Sequence, residues 1–241
     1  MRTAGVTHVG NAHVVGRTML QTANTIKSAE LLNKQMRLLF PTPMFTGMLP
    51  DLSLCDRIEA FLRMLQKSGV GSFSTPRQSA TYMTPDDLHT RPEMKELVDI
   101  VLLEAGKIFD TLGVARDSHY INSMWGNITH PNLFQNAHVH PNSLLSGLVY
   151  IKTPEKCGGT SFASHRRFTK NFEPNYTNRN ELNSDMFVVR PEKGRMLFWP
   201  SDIPHSVERG DADESEDRIT LPFNIMIKAK IVKFTANLDL R

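Results

Sequence analysis

The sequence has few of the features that mark thiolate-metal, membrane or nucleic-acid-binding proteins. Only two cysteines occur among 241 residues, so neither a disulfide framework nor a cysteine metal motif can be built. No apolar run approaches the roughly 18 residues that a membrane span requires. No cluster of lysine and arginine is interleaved with aromatic residues, as nucleic-acid binding would need. These absences predict a protein of the cytoplasm, with no membrane or nucleic-acid partner.

Acidic residues are scarce in the N-terminal part of the chain. Within the first 37 residues Glu30 is the one carboxylate, against five basic residues, and the segment lacks the apolar positions of a core. We predict that residues 1–37 are an N-terminal extension, a packed arm or a leader. Residues 38–241 are predicted to form a single domain.

The pattern of apolar residues predicts two helices followed by short strands. Two prolines make residues 38–45 an edge strand. One helix is capped by Asp51 or Ser53 and ends at Ser68-Gly69, and a second runs from Pro92 to Gly113. Eight strands are predicted after that: Tyr120–Ile128, Ala137–His140, Ser146–Ile151, Thr160–Ala163, Met186–Val189, Arg195–Phe198, Ser206–Val207 and Arg218–Ile227. The fold class is therefore mainly β with supporting helices, around a jelly-roll core.

Two histidines with strand-like flanks are the strongest candidates for a functional site. His138 and His140 lie two residues apart, so on a strand they share one face, with Cβ atoms roughly 6–7 Å apart. Both rings could then bind one metal ion together with a third histidine, His205. Two alternatives remain open: only one of the pair binds, with water in the gap, or Asp202 joins the site.

Arg218 opens an otherwise apolar strand, where a buried charge needs a partner. It could hold a carboxylate ligand. The alternative is a surface ion pair with Glu214, Glu216 or Asp217.

Together these motifs resemble those of the Fe(II)/2-oxoglutarate oxygenases. The likeness is strongest to a bacterial and phage group and to the prolyl-hydroxylase branch, and it covers roughly residues 39–228. The matching motifs are Phe40-Pro-Thr-Pro43, His138-Val-His140-Pro-Asn-Ser143, Ser146-Gly-Leu-Val-Tyr150, Phe198-Trp-Pro-Ser201 with His205-Ser-Val207, and Arg218-Ile-Thr220.

The resemblance implies a double-stranded β-helix and a set of cofactors. Fe(II) would be held by three residues that are also the catalytic ones, His138, His140 and His205. The co-substrate 2-oxoglutarate would be bound by Arg218, Thr220, Tyr150 and Ser146. Dioxygen is the other co-substrate, and ascorbate is an expected activator.

The implied reaction is hydroxylation of a small molecule or an amino-acid side chain, with release of succinate and CO2. A homodimer is expected. One departure from the family pattern matters, because most members bind iron through two histidines and one carboxylate. Here His140 stands at the carboxylate position, and no acidic residue occurs between Asp117 and Glu155.

Two other functions remain compatible with the sequence. A cupin-like metal-binding protein without redox chemistry would keep the histidines but would not need Arg218. A catalytically silent sensor of iron and 2-oxoglutarate would keep every motif. The polar segment from His165 to Ser184 is the predicted lid or substrate loop.

Overall fold

The structure, a computed structural model, describes residues 38, 41–73, 81–130, 132–164, 174–211, 216–233 and 235–241. The predicted N-terminal extension, residues 1–37, lies outside this part of the chain and stays a prediction. The single domain predicted over residues 38–241 also stays a prediction. All the elements described below belong to one unit, Pro43–Arg241.

Two α-helices form where the apolar periodicity predicts them. Helix α1 spans Ser53–Lys67 and buries Leu54, Ile58 and Leu62 on one face. Helix α2 spans Lys95–Thr111 and follows two 3-10 turns, Leu88–Thr90 and Pro92–Met94. The proline therefore opens a 3-10 turn, and the α-helix begins three residues later than predicted. Neither helix is long and apolar enough to cross a membrane.

Fourteen strands are present among the described residues. They are β1 Phe45–Met48, β2 Ser72–Phe73, β3 Tyr82–Met83, β4 Ser118–Met124, β5 Asn127–Thr129, β6 Gln135–His138, β7 Leu145–Lys152, β8 Thr160–Ala163, β9 Met186–Val189, β10 Arg195–Pro200, β11 His205–Val207, β12 Arg218–Lys228, β13 Lys230–Lys233 and β14 Ala236–Asp239. The larger sheet has the order β1-β10-β7-β12-β5-β3-β2, with β4 also pairing β12. The smaller sheet has the order β6-β11-β8-β9, and β13 and β14 form a hairpin.

The central strand β12 separates an apolar core from a polar interior. Ile219, Leu221, Phe223 and Ile225 are buried in the main hydrophobic cluster, which includes the apolar faces of both helices. Their alternate neighbours point to the opposite face, because side chains repeat with period two along a strand. That face carries Arg218, Thr220 and Asn224, all buried. The polar residues thus lie inside the β-structure, away from the helices.

Three predicted strands differ from the structure. The first strand is Phe45–Met48 and not residues 38–45, because it begins only after the two prolines. It does lie at the edge of the larger sheet. The predicted strand Tyr120–Ile128 is two strands, β4 and β5, which pair different halves of β12 on either side of Pro222. A proline has no backbone N–H to donate, so the ladder is interrupted there. The predicted strand Ala137–His140 is β6, which ends at His138.

Candidate active site

Three histidines converge where two strands of the smaller sheet pair. His138 ends β6 and His205 opens β11, and the two residues are direct cross-strand partners. His140 lies beyond the strand end, so the predicted shared strand face is not how it reaches the site. A hydrogen bond from the backbone N–H of His140 to the carbonyl of Ser201, at 3.0 Å, holds this loop residue near the site. One ring nitrogen from each histidine lies within 4.8 Å of the others.

The hydrogen bonds of two of the rings direct their lone pairs toward this centre. His138 Nδ1 lies 2.9 Å from the carbonyl of Asn136, and His205 Nδ1 lies 3.0 Å from that of Ile203. A carbonyl can only accept, so Nδ1 carries the proton in each ring. Nε2 of each neutral ring is then free to bind a metal. This arrangement, with the other nitrogen held by a backbone carbonyl, is the usual support of histidine ligands.

The spacing of two of the ring nitrogens fits binding to a single ion. His140 Nε2 and His205 Nε2 lie 3.2 Å apart. Two ligands that each lie about 2.1 Å from one ion, at angles of roughly 90–110°, are separated by about 3.0–3.4 Å. Among the described residues, the converging group contains these three histidines and not Asp202. The residues present therefore fit a first-row metal bound by imidazoles.

Burial keeps two of the rings neutral. Desolvation, followed by the nearby charge of His138, lowers the pKa of His140 to about 4. Desolvation also lowers the pKa of His205 to about 3, with the same histidine as the second cause. Trp199 packs on His205 with 4.8 Å between ring centroids, and Trp125 lies 5.6 Å from His140. Both rings are therefore uncharged at neutral pH.

These lowered pKa values predict that the metal-free protein is destabilised by acid. Above the ordinary histidine pKa of 6.5, the rings are neutral in both the folded and the unfolded chain. As the pH falls below 6.5, His140 and His205 bind protons in the unfolded chain but not in the folded chain. The free energy of unfolding therefore decreases. The expected loss between pH 7 and pH 5 is on the order of 1–3 kcal/mol.

Urea denaturation in the presence of a chelator measures this loss. The variant His140→Asn has one titrating ring fewer and should show a shallower profile. An equal slope in the two proteins would contradict the assignment.

Arg218 lies inside the β-structure, only 4% exposed. Its guanidinium carbon is 5.4 Å from the ring centroid of Tyr150, and Nη2 donates to Thr160 Oγ1 at 3.4 Å. Its buried Nε has no hydrogen-bond partner among the residues that the structure describes. A buried guanidinium with an unused donor is suited to an anionic ligand that supplies the acceptors.

The alternative of a surface ion pair is not supported for two of its three candidates. Asp217 pairs with Arg63 at 2.6 Å, and Glu216 lies 3.4 Å from Lys152. Glu214 lies outside the described residues. Within the described part of the chain, no carboxylate contacts Arg218.

A cavity of about 280 Å³ extends from His138 to Arg218, and both side chains line it. Two lining residues that sequence reasoning missed are Asn127 and Thr129 on β5, directly opposite Thr220 and Arg218 in the pairing with β12. Within the described part of the chain, the buried Oδ1 of Asn127 has no hydrogen-bond partner. Only the strand register reveals these two residues, because nothing in the local sequence distinguishes them.

Of the other residues predicted to bind 2-oxoglutarate, two lie beside Arg218 and one lies away from it. Tyr150 and Thr220 are cross-strand partners beside Arg218, and both are buried. The hydroxyl of Tyr150 lies 2.6 Å from Thr160 Oγ1, and burial is the main cause that raises its pKa. Ser146 lies four residues before Tyr150 on β7, and its hydroxyl forms hydrogen bonds with Ser201 and Asn224 and none with Arg218.

The predicted lid is only partly described. Residues 165–173 lie outside the described residues, including the basic positions His165 to Arg167. Residues 174–182 are exposed. The role of this segment as a lid stays a prediction.

A family model matches the part of the chain that contains this site. Residues 123–224 match the model described as putative 2OG-Fe(II) oxygenase. The matched segment contains all three histidines, Arg218 and the cavity wall on β5. No curated protein matches the sequence.

Solved structures share the fold. A prolyl-4-hydroxylase from Pseudomonas putida is 13% identical, with a TM-score of 0.55, over 76% of this chain and 92% of that one. The epimerase SnoN, in complex with Fe3+, alpha ketoglutarate and nogalamycin RO, is 13% identical with a TM-score of 0.58, over 83% and 89% of the chains. A 2OG-Fe(II) oxygenase family oxidoreductase from Burkholderia pseudomallei is 14% identical with a TM-score of 0.53, over 75% and 84%. At these identities the likeness concerns the fold. It confirms the predicted double-stranded β-helix and agrees with a prolyl-hydroxylase-like branch.

Proposed function

We propose that this protein is an Fe(II)- and 2-oxoglutarate-dependent dioxygenase that hydroxylates a small molecule or an amino-acid side chain, releasing succinate and CO2. One observation carries the proposal. His138 and the buried Arg218, which has no carboxylate partner among the described residues, line the same cavity, and one ring nitrogen each of His140 and His205 lies within 4.8 Å of His138. A metal ion bound by the histidines and a dicarboxylic acid that reaches Arg218 would occupy this site together.

His138, His140 and His205 would hold the iron. Three neutral imidazoles leave the full charge of Fe(II) in place, whereas the usual carboxylate ligand cancels one unit of it. The more positive centre would attract the dianionic 2-oxoglutarate. The iron and alpha ketoglutarate in the complex of the epimerase SnoN support the choice of cofactors.

Arg218 would bind the far carboxylate of 2-oxoglutarate. Its planar guanidinium offers two parallel N–H donors, which match the two carboxylate oxygens. Tyr150 and Thr220 flank it and would add hydroxyl donors. We keep Ser146 as a predicted contact, although its hydrogen bonds in the structure go to Ser201 and Asn224.

The chain would position the reactants and exclude water. Bound iron, 2-oxoglutarate and dioxygen together supply the oxidant for hydroxylation, and ascorbate would keep the iron reduced. Trp199 and Phe162 pack beside His205 and form an apolar wall there. Such a wall keeps water from the reacting atoms. Arg218 would fix the orientation of the co-substrate in the cavity.

Binding of the two cofactors tests the proposal directly. Titration of the protein with Fe(II) and then 2-oxoglutarate, without oxygen, should produce the visible metal-to-ligand charge-transfer band of a chelated 2-oxo acid. Admission of oxygen should then yield succinate at a slow rate even without the substrate. Iron binding with no such band would indicate a cupin-like metal-binding protein.

A band without succinate formation, across a panel of amino acids and peptides, would indicate a sensor. The homodimer and the cytoplasmic location remain predictions.

A further inference from the structure

Asn224 lies behind His140 in a small buried network of hydroxyls. It is 7% exposed and lies on β12 where the pairing with β4 shifts at a bulge. Its Nδ2 donates to Ser123 Oγ at 2.9 Å and lies 3.4 Å from His140 Nδ1. Its Oδ1 accepts from Ser146 Oγ at 2.7 Å. Bulges often aim a side chain next to an active site, and here the side chain meets a candidate ligand.

The hydrogen bonds fix where His140 carries its proton. His205 Nδ1 donates to a carbonyl, so its Nε2 can only accept. His140 Nε2, 3.2 Å away, must therefore be the donor of that pair. His140 Nδ1 is then an acceptor, which agrees with the amide donor that Asn224 directs at it. Every hydrogen bond from His205 on β11 through His140 to Asn224 on β12 then has one donor and one acceptor.

In this tautomer His140 cannot bind a metal through Nε2, because that nitrogen carries the proton. Coordination through Nε2 requires a lone pair there, so the proton must move to Nδ1. Nδ1–H would then face the amide donor of Asn224. The conflict is relieved if the amide rotates by half a turn and presents Oδ1 to His140. Ser123 and Ser146 permit either orientation, because a hydroxyl both donates and accepts.

We propose that Asn224 is the positioning residue for His140: its amide orientation decides whether this ring binds the metal or hydrogen-bonds His205. This inference rests on the proposed function, since it concerns the same metal site. It makes His140 a ligand that metal binding recruits, while His138 and His205 are held in the binding tautomer by backbone carbonyls.

The variant Asn224→Asp tests the proposal. A carboxylate can only accept, so it would hold the proton on His140 Nδ1 and leave Nε2 free for the metal. Carboxylate–histidine–metal arrangements change affinity by about 10–100-fold. We expect Asn224→Asp to tighten Co(II) and Zn(II) binding by at least about 10-fold, and Asn224→Ala to weaken it by a similar factor. Competition with a chromophoric chelator measures both, without any 2-oxoglutarate.

The same pair of variants in a His140→Ala background provides the control. If Asn224 acts through His140, its substitutions should change metal affinity less than about 2-fold there, because the coupled partner is gone. A similar gain from Asn224→Asp in both backgrounds would mean a general effect of negative charge and would overturn the proposal. Unchanged affinity in both variants would overturn it as well.

Two further readouts keep the result interpretable. If Asn224→Asp does not fold, Ser146→Ala replaces it: this variant removes one hydrogen-bond partner of Asn224, and it should weaken metal binding as Asn224→Ala does. The Co(II) d–d spectrum should differ between the parent and Asn224→Ala, because the number of imidazole ligands changes. Failure of the parent protein to bind Co(II), Zn(II) or Fe(II) would overturn the proposed function itself, whereas binding that Asn224 does not affect would overturn this inference alone.

Discussion

Replacing His205 with alanine is expected to abolish iron-dependent succinate formation. His205 is buried, opens β11 and pairs directly with His138, so it anchors the site from the smaller sheet. Loss of its ring leaves two ligand nitrogens, one from His140 on a loop and one from His138 at a strand end. We expect iron affinity to fall by more than about 100-fold, beyond the 10–100-fold typical of residues that only support a ligand.

The measurement is iron content after anaerobic reconstitution, together with succinate released in oxygen. His89→Ala is the matched control, since His89 lies on a 3-10 turn outside the converging group. Circular dichroism should show that both variants keep the parent β-structure. Full iron content in folded His205→Ala would contradict the assignment of this residue as a ligand.

Replacing Arg218 with methionine is expected to remove 2-oxoglutarate binding while iron binding persists. The guanidinium is buried, and among the described residues it has no carboxylate partner, so its charge is available to a ligand. Loss of one partner of a buried, hydrogen-bonded charge pair costs about 2–5 kcal/mol, or roughly a 30- to 5000-fold weaker affinity. Methionine matches much of the side-chain volume, so the protein should still fold.

Arg218→Lys separates charge from geometry. Lysine keeps the positive charge but loses the two parallel donors, so its affinity for 2-oxoglutarate should lie between those of the parent and of Arg218→Met. Arg63→Met is the control, because Arg63 pairs with Asp217 beside the start of β12 but does not line the cavity. The charge-transfer band measures the affinity in each protein. An unchanged affinity in Arg218→Met would place the co-substrate elsewhere.

The predicted elements are confirmed where local chemistry determines them. The apolar periodicity of α1 and the glycines after each helix are local signals, and both helices end just before Gly69 and Gly113, whose φ angles are 71° and 67°. The short strands β7, β8 and β9 also lie close to their predicted bounds. The two-residue strands β2 and β3 and the hairpin of β13 and β14 were not predicted, because strands of two to four residues are too short to show a periodic pattern.

The residues that could carry the chemistry are recognisable from local patterns in the sequence. His138, His140, His205 and Arg218 stand out because of spacing, flanking strands and a charge in an apolar run. How they meet depends on the three-dimensional fold. His140 reaches the centre from a loop, Arg218 turns inward beside Tyr150, and Asn127, Thr129 and Asn224 join the site through strand register. Register depends on pairing between residues distant in the chain, so no local pattern of amino acids could reveal it.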